Sequence, residues 1–436
     1  MSGVSPILPL VLGAVLSVGC LVGAFWSLRR KRLIDDLPTS KTQGVFVGLC
    51  ELKGTAESEQ PLVSYLAGAR CVYYKWHVDE HWSRTVHETY TDSKGQVHTR
   101  TRTESGWKKV ADGGGSAPFF LKDETGAIRI IPDEAQINAI GTFDETLGRS
   151  DPVYFSKGPT SEIANSTHRR RFQESALPLH VPLYILGHAR QRDDVPAAEI
   201  AADKDAIFLI STKTERQISS GYGIWAFFWV FFGAVLVAGG AFASNLAAAG
   251  GAGWGVYVLA GGGYLLALLL GWTWMVYNSL VTLHQRVAQS WSQVDVQLKR
   301  RADLIPNLVA GVAAYRDYER STQQAVAQLR QQAEATPPGE AGADYDGLSP
   351  VLRAVVERYP ELKANEVFMG LQRSLVETEQ RIALARDYFN DIATFYNNRL
   401  EIVPDRFVAG LARLRPRTLM TAAGFERASI EVKLAD

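Results

Sequence analysis

Hydrophobic positions follow three rhythms along this chain. The first is unbroken: Ile7 to Leu28, Gly221 to Leu246 and Gly255 to Tyr277 contain no charged side chain. Each is long enough to cross a hydrocarbon core of about 30 Å, which takes about 20 helical residues. They predict transmembrane helices over 6–28, 221–246 and 255–277, the last two joined through the Ala/Gly segment around Ala247 to Gly253 as a tight hairpin.

The second rhythm, over 40–216, is alternation. Val72, Tyr74, Trp76 and Val78 share one face of a strand, and short β-type runs recur at Gly44–Leu49, Phe119–Asp123, Ala127–Pro132, Leu183–Gly187 and Ala206–Ile210. Gly113-Gly114-Gly115 reads as a linker and Asp123-Glu124-Thr125-Gly126 as a hairpin turn, so a compact β-rich (α+β) domain is expected. Thr85 to Glu104 differs: it is rich in Thr, His and Arg and turns near Ser93-Lys94-Gly95. Neither of its faces is apolar, so this hairpin projects into solvent or packs on a partner.

The third rhythm fills 278–436. Leu280, Leu283, Val287, Trp291, Val294, Leu298, Ala302, Ile305, Val309 and Ala313 recur in steps of 3, 4 and 4, the period of a nearly straight helix. No breaker separates it from the third span, so one long helix runs out of the membrane, kinked at Pro306. Gln331 to Pro350 reads as a loop. From about Glu361 to Ile402 a second helix carries Phe368, Leu371, Leu375, Thr378, Ile382, Ala385, Phe389, Ile392 and Tyr396 as a heptad, coiled-coil-like seam, and Pro404 ends it. An antiparallel helical bundle follows.

Charge adds an orientation. Residues 1–6 have no Lys or Arg, whereas Arg29, Arg30, Lys31 and Arg32 follow the first span and Lys213 and Arg216 precede the second. The 247–253 loop is uncharged, and Arg286, Lys299, Arg300 and Arg301 follow the third span. Positive charge marks the inner side, so the N-terminus is expected outside (periplasmic), with 40–216 and the C-terminal segment cytoplasmic. Trp26, Trp225, Trp229, Trp272, Trp274 and Tyr277 would form an interfacial belt. A cleaved signal wants its positive charge before the apolar run, so an uncleaved anchor is expected. Within the third span Gly263, Ala267 and Gly271 recur every four residues, which either serves close helix packing or reflects ordinary membrane-helix composition.

Across all 436 residues, 46 basic side chains balance 46 acidic ones, which argues against a nucleic-acid partner. Three cysteines, Cys20, Cys50 and Cys71, with no CxxC, exclude a zinc finger or a disulfide framework. His77, Asp79 and His81 alternate on one strand face and are weak candidates for a metal. Polar alternation is what the solvated face of a half-buried strand shows, so no metal or other cofactor is assigned. There is no catalytic motif of the G-x-S-x-G, Walker A or H-E-x-x-H kind.

Two stretches carry resemblances. Gly44 to Gly54, Leu62-Val63-Ser64, Cys71-Val72-Tyr73, Pro118 to Gly126 and Glu174 to Gly187 resemble the GIDE domain, which lies between the membrane spans of mitochondrial E3 ubiquitin ligases and also occurs in bacteria. The ligase chemistry of that family belongs to a zinc-binding RING, and no cysteine follows Cys71 here, so the resemblance does not carry the activity over. Tyr277-Asn278-Ser279-Leu280-Val281, Trp291 to Val309, Tyr359 to Ala364, Ala385 to Asn390 and Phe395-Tyr396-Asn397 resemble the LemA family. That resemblance implies a membrane-anchored helical bundle in bacteria and supplies no catalytic residues. LemA proteins usually have a single short anchor, whereas a domain and two further spans precede the bundle here.

Within the LemA-like motifs Arg300, Arg301, Asp303 and Asn307 on the first long helix, and Arg386, Asp387 and Asn390 on the second, have spacings that allow ion pairs along or between helices. They are expected to fix helix register. Arg300 and Arg301 lie roughly 35 Å of helix beyond the membrane boundary, which disfavours a headgroup role for them. The expected protein is a multi-pass scaffold of the bacterial inner membrane. It has three transmembrane helices, a GIDE-like domain between the first two and a LemA bundle continuous with the third. It is not an enzyme; its partners are membrane lipids and further copies of itself as a homo-oligomer. The alternatives are an adaptor or regulator of a membrane protease or envelope-stress system, or a component of a ubiquitin-ligase-like enzyme.

Overall fold

The computed structural model describes residues 7–91, 96–192, 197–203, 207–248, 253–313 and 366–420. The turn expected at Ser93-Lys94-Gly95, the loop at Gln331 to Pro350 and the helix start near Glu361 lie outside them. The chain forms two compact units, Thr39–Glu215 and the remainder.

Three helices in the second of these units are apolar and long enough to cross a membrane: α1 (Ile7–Asp35), α3 (Glu215–Ala247) and α4 (Gly253–Ala313). In hydrocarbon a backbone must satisfy its own hydrogen bonds, and a helix does so within one segment. Phe227, Phe231, Leu259 and Leu269 stand exposed, as lipid-facing side chains do. Where α1 crosses α3, a side chain on Gly13 would begin 2.7 Å from the Leu236 carbonyl oxygen, and one on Gly240 would begin 2.8 Å from that of Pro9. Small residues allow this approach. Of the stripe read from sequence, Gly271 is covered, by the Phe25 ring, while Gly263 faces open space and Ala267 is exposed. The tightest α1–α3 crossing uses Gly13 and Gly240 instead. Tyr264 donates to the Val230 carbonyl at 2.7 Å and so joins α4 to α3.

Helix α4 does not stop where the apolar span ends. Its 61 residues, about 90 Å at 1.5 Å each, continue through Pro306. Beyond the span it packs on α5 (Glu366–Glu401). Leu280, Leu283, Val287, Val294 and Leu298 are buried on one side of the seam and Ile382, Ala385, Phe389, Ile392 and Tyr396 on the other. The helices run antiparallel, with Trp291 against Phe389 (ring centroids 5.3 Å) and His284 against Tyr396 (5.4 Å). A short helix α6 (Asp405–Leu411) follows.

The Thr39–Glu215 unit is β-rich, with 13 strands among the described residues. Strands β2 (Gly48–Glu57), β6 (Phe119–Lys122), β7 (Ala127–Ile130), β12 (Ala198–Ala201) and β11 (Pro182–Gln191) pair in that order, and β11 pairs back onto β2, closing a small barrel. Leu52, Leu121, Ile130, Ile185 and Ile200 fill it. A second sheet places β4 (Arg70–Thr91) between β10 (Ser166–Pro178) and β5 (Val97–Ser116), with β9 (Ile140–Gly148) beyond β10. The β10 pairing ends at Trp82, whereas β4 and β5 continue as a two-stranded ribbon to Thr91 and Val97 with exposed flanks.

The ribbon's base corrects one expectation. Gly113, Gly114 and Gly115 are not a linker but part of β5, paired with Trp76, Lys75 and Tyr74. A side chain on Gly113 would begin 2.9 Å from the Trp76 ring, and one on Gly115 would begin 3.0 Å from that of Tyr74. The aromatic rings occupy the space the glycines leave, a cross-strand arrangement that stabilises Gly in a strand.

A buried ion pair secures the same sheet. Arg170 and Glu80 are both fully buried, 2.9 Å apart. The guanidinium also donates to the carbonyls of Tyr154, Pro159 and Ser161, so one side chain holds the loop that follows α2 (Pro152–Ser156).

Replacing Gly113 by Val should lower the unfolding midpoint of the full chain in detergent, by about 1–3 kcal/mol of overpacking. In contrast, Gly370→Ala, where nothing stands within 4 Å of the added carbon, should be neutral or stabilising by up to about 1 kcal/mol. Fluorescence-detected melting of the two variants checks both.

Candidate functional site

The most concentrated polar chemistry lies where α1 leaves the apolar span. Its last turns hold Arg29, Arg30, Lys31, Arg32, Asp35 and Asp36, and each charge has a different task. Arg30 lies over the Trp26 ring, 4.1 Å from its centroid, and reaches the Tyr222 hydroxyl of α3. Lys31 bridges Asp35 (2.6 Å) and the Ser219 hydroxyl (2.8 Å), tying α1 to the start of α3.

Arg32 turns the other way. Its two terminal nitrogens bind the two Asp405 oxygens at 2.8 and 3.0 Å, a forked pair at the start of α6. Arg399, at the end of α5, donates to Asp36 at 2.8 Å and to Asp405 at 3.4 Å. Asp405 is 2% exposed and Asp36 6%, so this four-residue cluster is largely withdrawn from water. Burial raises the Asp36 carboxyl above its ordinary range, and Arg399 and Arg32 pull it back only in part. A bidentate Arg–carboxylate pair has a fixed geometry that a lysine could not reproduce. The cluster therefore fixes the end of α1 against the α5–α6 junction.

Beside it opens a cavity of about 700 Å³ between α1 and α4, within the size range of small-molecule sites. Val22, Phe25, Trp26, Trp274 and Met275 line one part, and Arg29, Arg32, Asp36, Ser279 and Arg286 line another. Arg286 is half-buried, and burial lowers its guanidinium pKa against the favourable pull of Tyr388 and Asp36.

The motif residues singled out in sequence differ in exposure. Arg301 is buried and faces Glu379 of α5 at 3.7 Å, a contact between the two long helices. Arg300, Asp303 and Asp387 are exposed, Arg386 is half-buried, and the Asn307 side chain lies outside the described residues. Asn390 does not bridge to α4. Its amide exchanges two hydrogen bonds with the Met420 backbone (3.0 and 2.8 Å), as Asn397 does with that of Arg417 (both 2.8 Å). One heptad apart on α5, the two asparagines hold the extended 417–420 segment. Arg417 in turn meets His284, whose pKa is lowered by burial and by that cation.

His77, Asp79 and His81 share a face of β4, but that face is half-buried rather than freely solvated. His77 bonds Gln173 at 2.9 Å and stands 3.7 Å from Asp79, while His81 bonds Thr167 at 2.9 Å and packs edge-on against Trp107. The buried carboxylates of this unit are also engaged. Glu174 accepts from the Leu66 and Ala67 amides, and Glu51 accepts from Thr39 and Tyr184. Burial pushes the Cys50 thiol up to about 12, where it is no nucleophile.

The comparisons with known proteins divide the chain the same way as its two resemblances. The model of the LemA family matches residues 290–434, and the GIDE model, described as E3 ubiquitin ligase, matches 87–244. The GIDE match begins inside β4 and ends within α3, whereas the strands of the same unit begin at Thr39. Protein LemA of Metamycoplasma hominis is 22% identical over 173 residues, 38% of this chain and 79% of that protein. Magnetosome protein MamQ 1 of Paramagnetospirillum magneticum is 26% identical over 165 residues, 31% of this chain and 61% of the relative. MamQ of Magnetospirillum gryphiswaldense is 26% identical over 153 residues, 28% of this chain and 56% of its own length. The chain thus spans less than two thirds of the MamQ relatives.

Replacing Asp405 by Ala leaves Arg32 and Arg399 partly buried without their shared carboxylate, which should cost about 3 kcal/mol of local stability. Hydrogen exchange of α6 amides in the full chain should then quicken by about a hundredfold. Unchanged protection would show that the cluster does not hold this junction.

Proposed function

We propose, for a membrane-associated chain that carries a LemA-family domain and a GIDE-type domain, a self-assembling, non-enzymatic scaffold. The scaffold lies in the bacterial inner membrane with its N-terminus periplasmic and both domains cytoplasmic, and it organises or shapes the membrane from that side. The observation that carries this reading is mechanical continuity. Helix α4 runs without interruption from the apolar span into the α4–α5 seam, and the Arg32–Asp405 and Arg399–Asp36 pairs fasten α1 to the same helices. Displacement of the soluble helices is thereby passed directly to the spans.

The Lys and Arg distribution around the spans supports the orientation. The β4–β5 ribbon, exposed on both flanks, offers unpaired backbone edges to a second copy. Kinship with proteins named for the magnetosome favours a role within an assembled structure. The polar residues of the GIDE-type domain make cross-strand and backbone bonds, which favours support over catalysis.

Light scattering of the full chain in mild detergent should give a homo-oligomer, and a monomer at all concentrations would contradict the proposal. Replacing residues 86–102 by an Asn-Gly turn should leave the melting midpoint within a degree or two and reduce the oligomer's mass. An oligomer of undiminished mass would remove the ribbon from the assembly interface.

A further inference from the structure

The cavity beside the charge cluster has a composition that the scaffold reading leaves unused. Its lining changes character along the axis of α1: Val22, Phe25 and Trp26 belong to the apolar span, while Arg29, Arg32 and Asp36 follow it. Helix α4 mirrors the sequence in the same order, with Trp274 and Met275 first and Arg286 last. An occupant must therefore be apolar where the helices are in hydrocarbon and anionic where they leave it.

The sign of the polar end follows from the pairing. Three guanidinium groups and one carboxylate line the cavity. Arg32 is matched to Asp405, and Asp36 to Arg399. Arg29 and Arg286 make no hydrogen bond or ion pair among the described residues, and the nearby Asp36 is the carboxylate that already serves Arg399. Two guanidinium groups thus line the cavity with no more than the long-range pull of Tyr388 and of the already engaged Asp36 on one of them. Arg29 is exposed and Arg286 half-buried; two guanidinium groups side by side call for an anion with several acceptor oxygens, and phosphate suits the guanidinium fork.

We propose that this cavity binds one anionic phospholipid from the leaflet at the C-terminal end of α1. Its phosphate lies at Arg29 and Arg286, and an acyl chain lies against Phe25, Trp26 and Trp274. A soluble phosphate would leave the aromatic part of the cavity unfilled, and a zwitterionic lipid would bring its own cation to the two arginines. Each basic residue adds about a factor of five in affinity for an anionic surface, so the pair should favour phosphatidylglycerol over phosphatidylcholine by roughly 30-fold. The site lies within one chain and does not depend on self-association.

Native mass spectrometry of the full chain in mild detergent tests this, with phosphatidylglycerol, phosphatidylcholine or inorganic phosphate added. One phosphatidylglycerol should be retained per chain, at least tenfold in preference to phosphatidylcholine, and millimolar phosphate should not displace it. The R29Q/R286Q double variant should bind the two lipids equally, while R102Q on the β4–β5 ribbon, outside the cavity lining, should keep the preference. Ser279→Trp, which fills the cavity without removing a charge, should lose the lipid and keeps the test open should the double variant fold poorly. Equal binding of both lipids by the parent chain, a preference that survives in R29Q/R286Q, or retention by Ser279→Trp would each overturn the proposal. Displacement by inorganic phosphate would overturn it in favour of a soluble anion.

Discussion

The absence of water from the hydrocarbon core constrains everything else in this protein. A chain that enters it must close its own backbone hydrogen bonds, so the three charge-free segments become helices. Because α4 emerges still helical, no joint separates the membrane from the α4–α5 seam. The seam then forms as any soluble helix pair does, by burying Leu283, Val287 and Val294 against Phe389, Ile392 and Tyr396. One continuous element serves two solvents, and its side chains change from lipid-facing apolar residues to an apolar stripe on a polar helix.

At the end of the first apolar span the charges take separate partners. Four consecutive basic residues follow the first span, and an account by the positive-inside rule alone would leave them as a solvated cluster. The structure separates them: Arg30 goes to an aromatic ring, Lys31 to α3, Arg32 to a buried carboxylate, and Arg29 to the cavity. Burying Asp36 and Asp405 is costly, and only the forked Arg32 contact and the paired Arg399 offset it. Such pairs add little net stability compared with apolar packing, but they accept only one arrangement. That suits a junction that must hold a fixed geometry between a span and the helices beyond it.

How much was legible in sequence depends on the range of the interaction. Charge-free length gave the three apolar helices, and the 3–4 spacing identified the residues of the seam, because both are local periodicities. The β-rich middle was visible in its alternating runs. Gly113 to Gly115 misled, since glycine in isolation signals flexibility and only the partner strand shows that Trp76 and Tyr74 fill the space. The crossing of Gly13 with Gly240 was hidden because the two glycines are remote in sequence. The charge cluster was hidden for the same reason: Arg32 and Asp405 are 373 residues apart, and no motif links them. Asn390 and Asn397 were picked out by family likeness, yet their work on the Arg417 to Met420 backbone follows only from the fold.

The proposed scaffold requires the spans to place both folded parts on one side of the membrane. Single cysteines at Thr101 on the ribbon and Glu401 at the end of α5, both exposed, can be probed with a membrane-impermeant maleimide, the native Cys20, Cys50 and Cys71 being buried. Both positions should label in inside-out vesicles and stay unlabelled in intact bacterial spheroplasts. Labelling of either one from the outside of intact spheroplasts would contradict it.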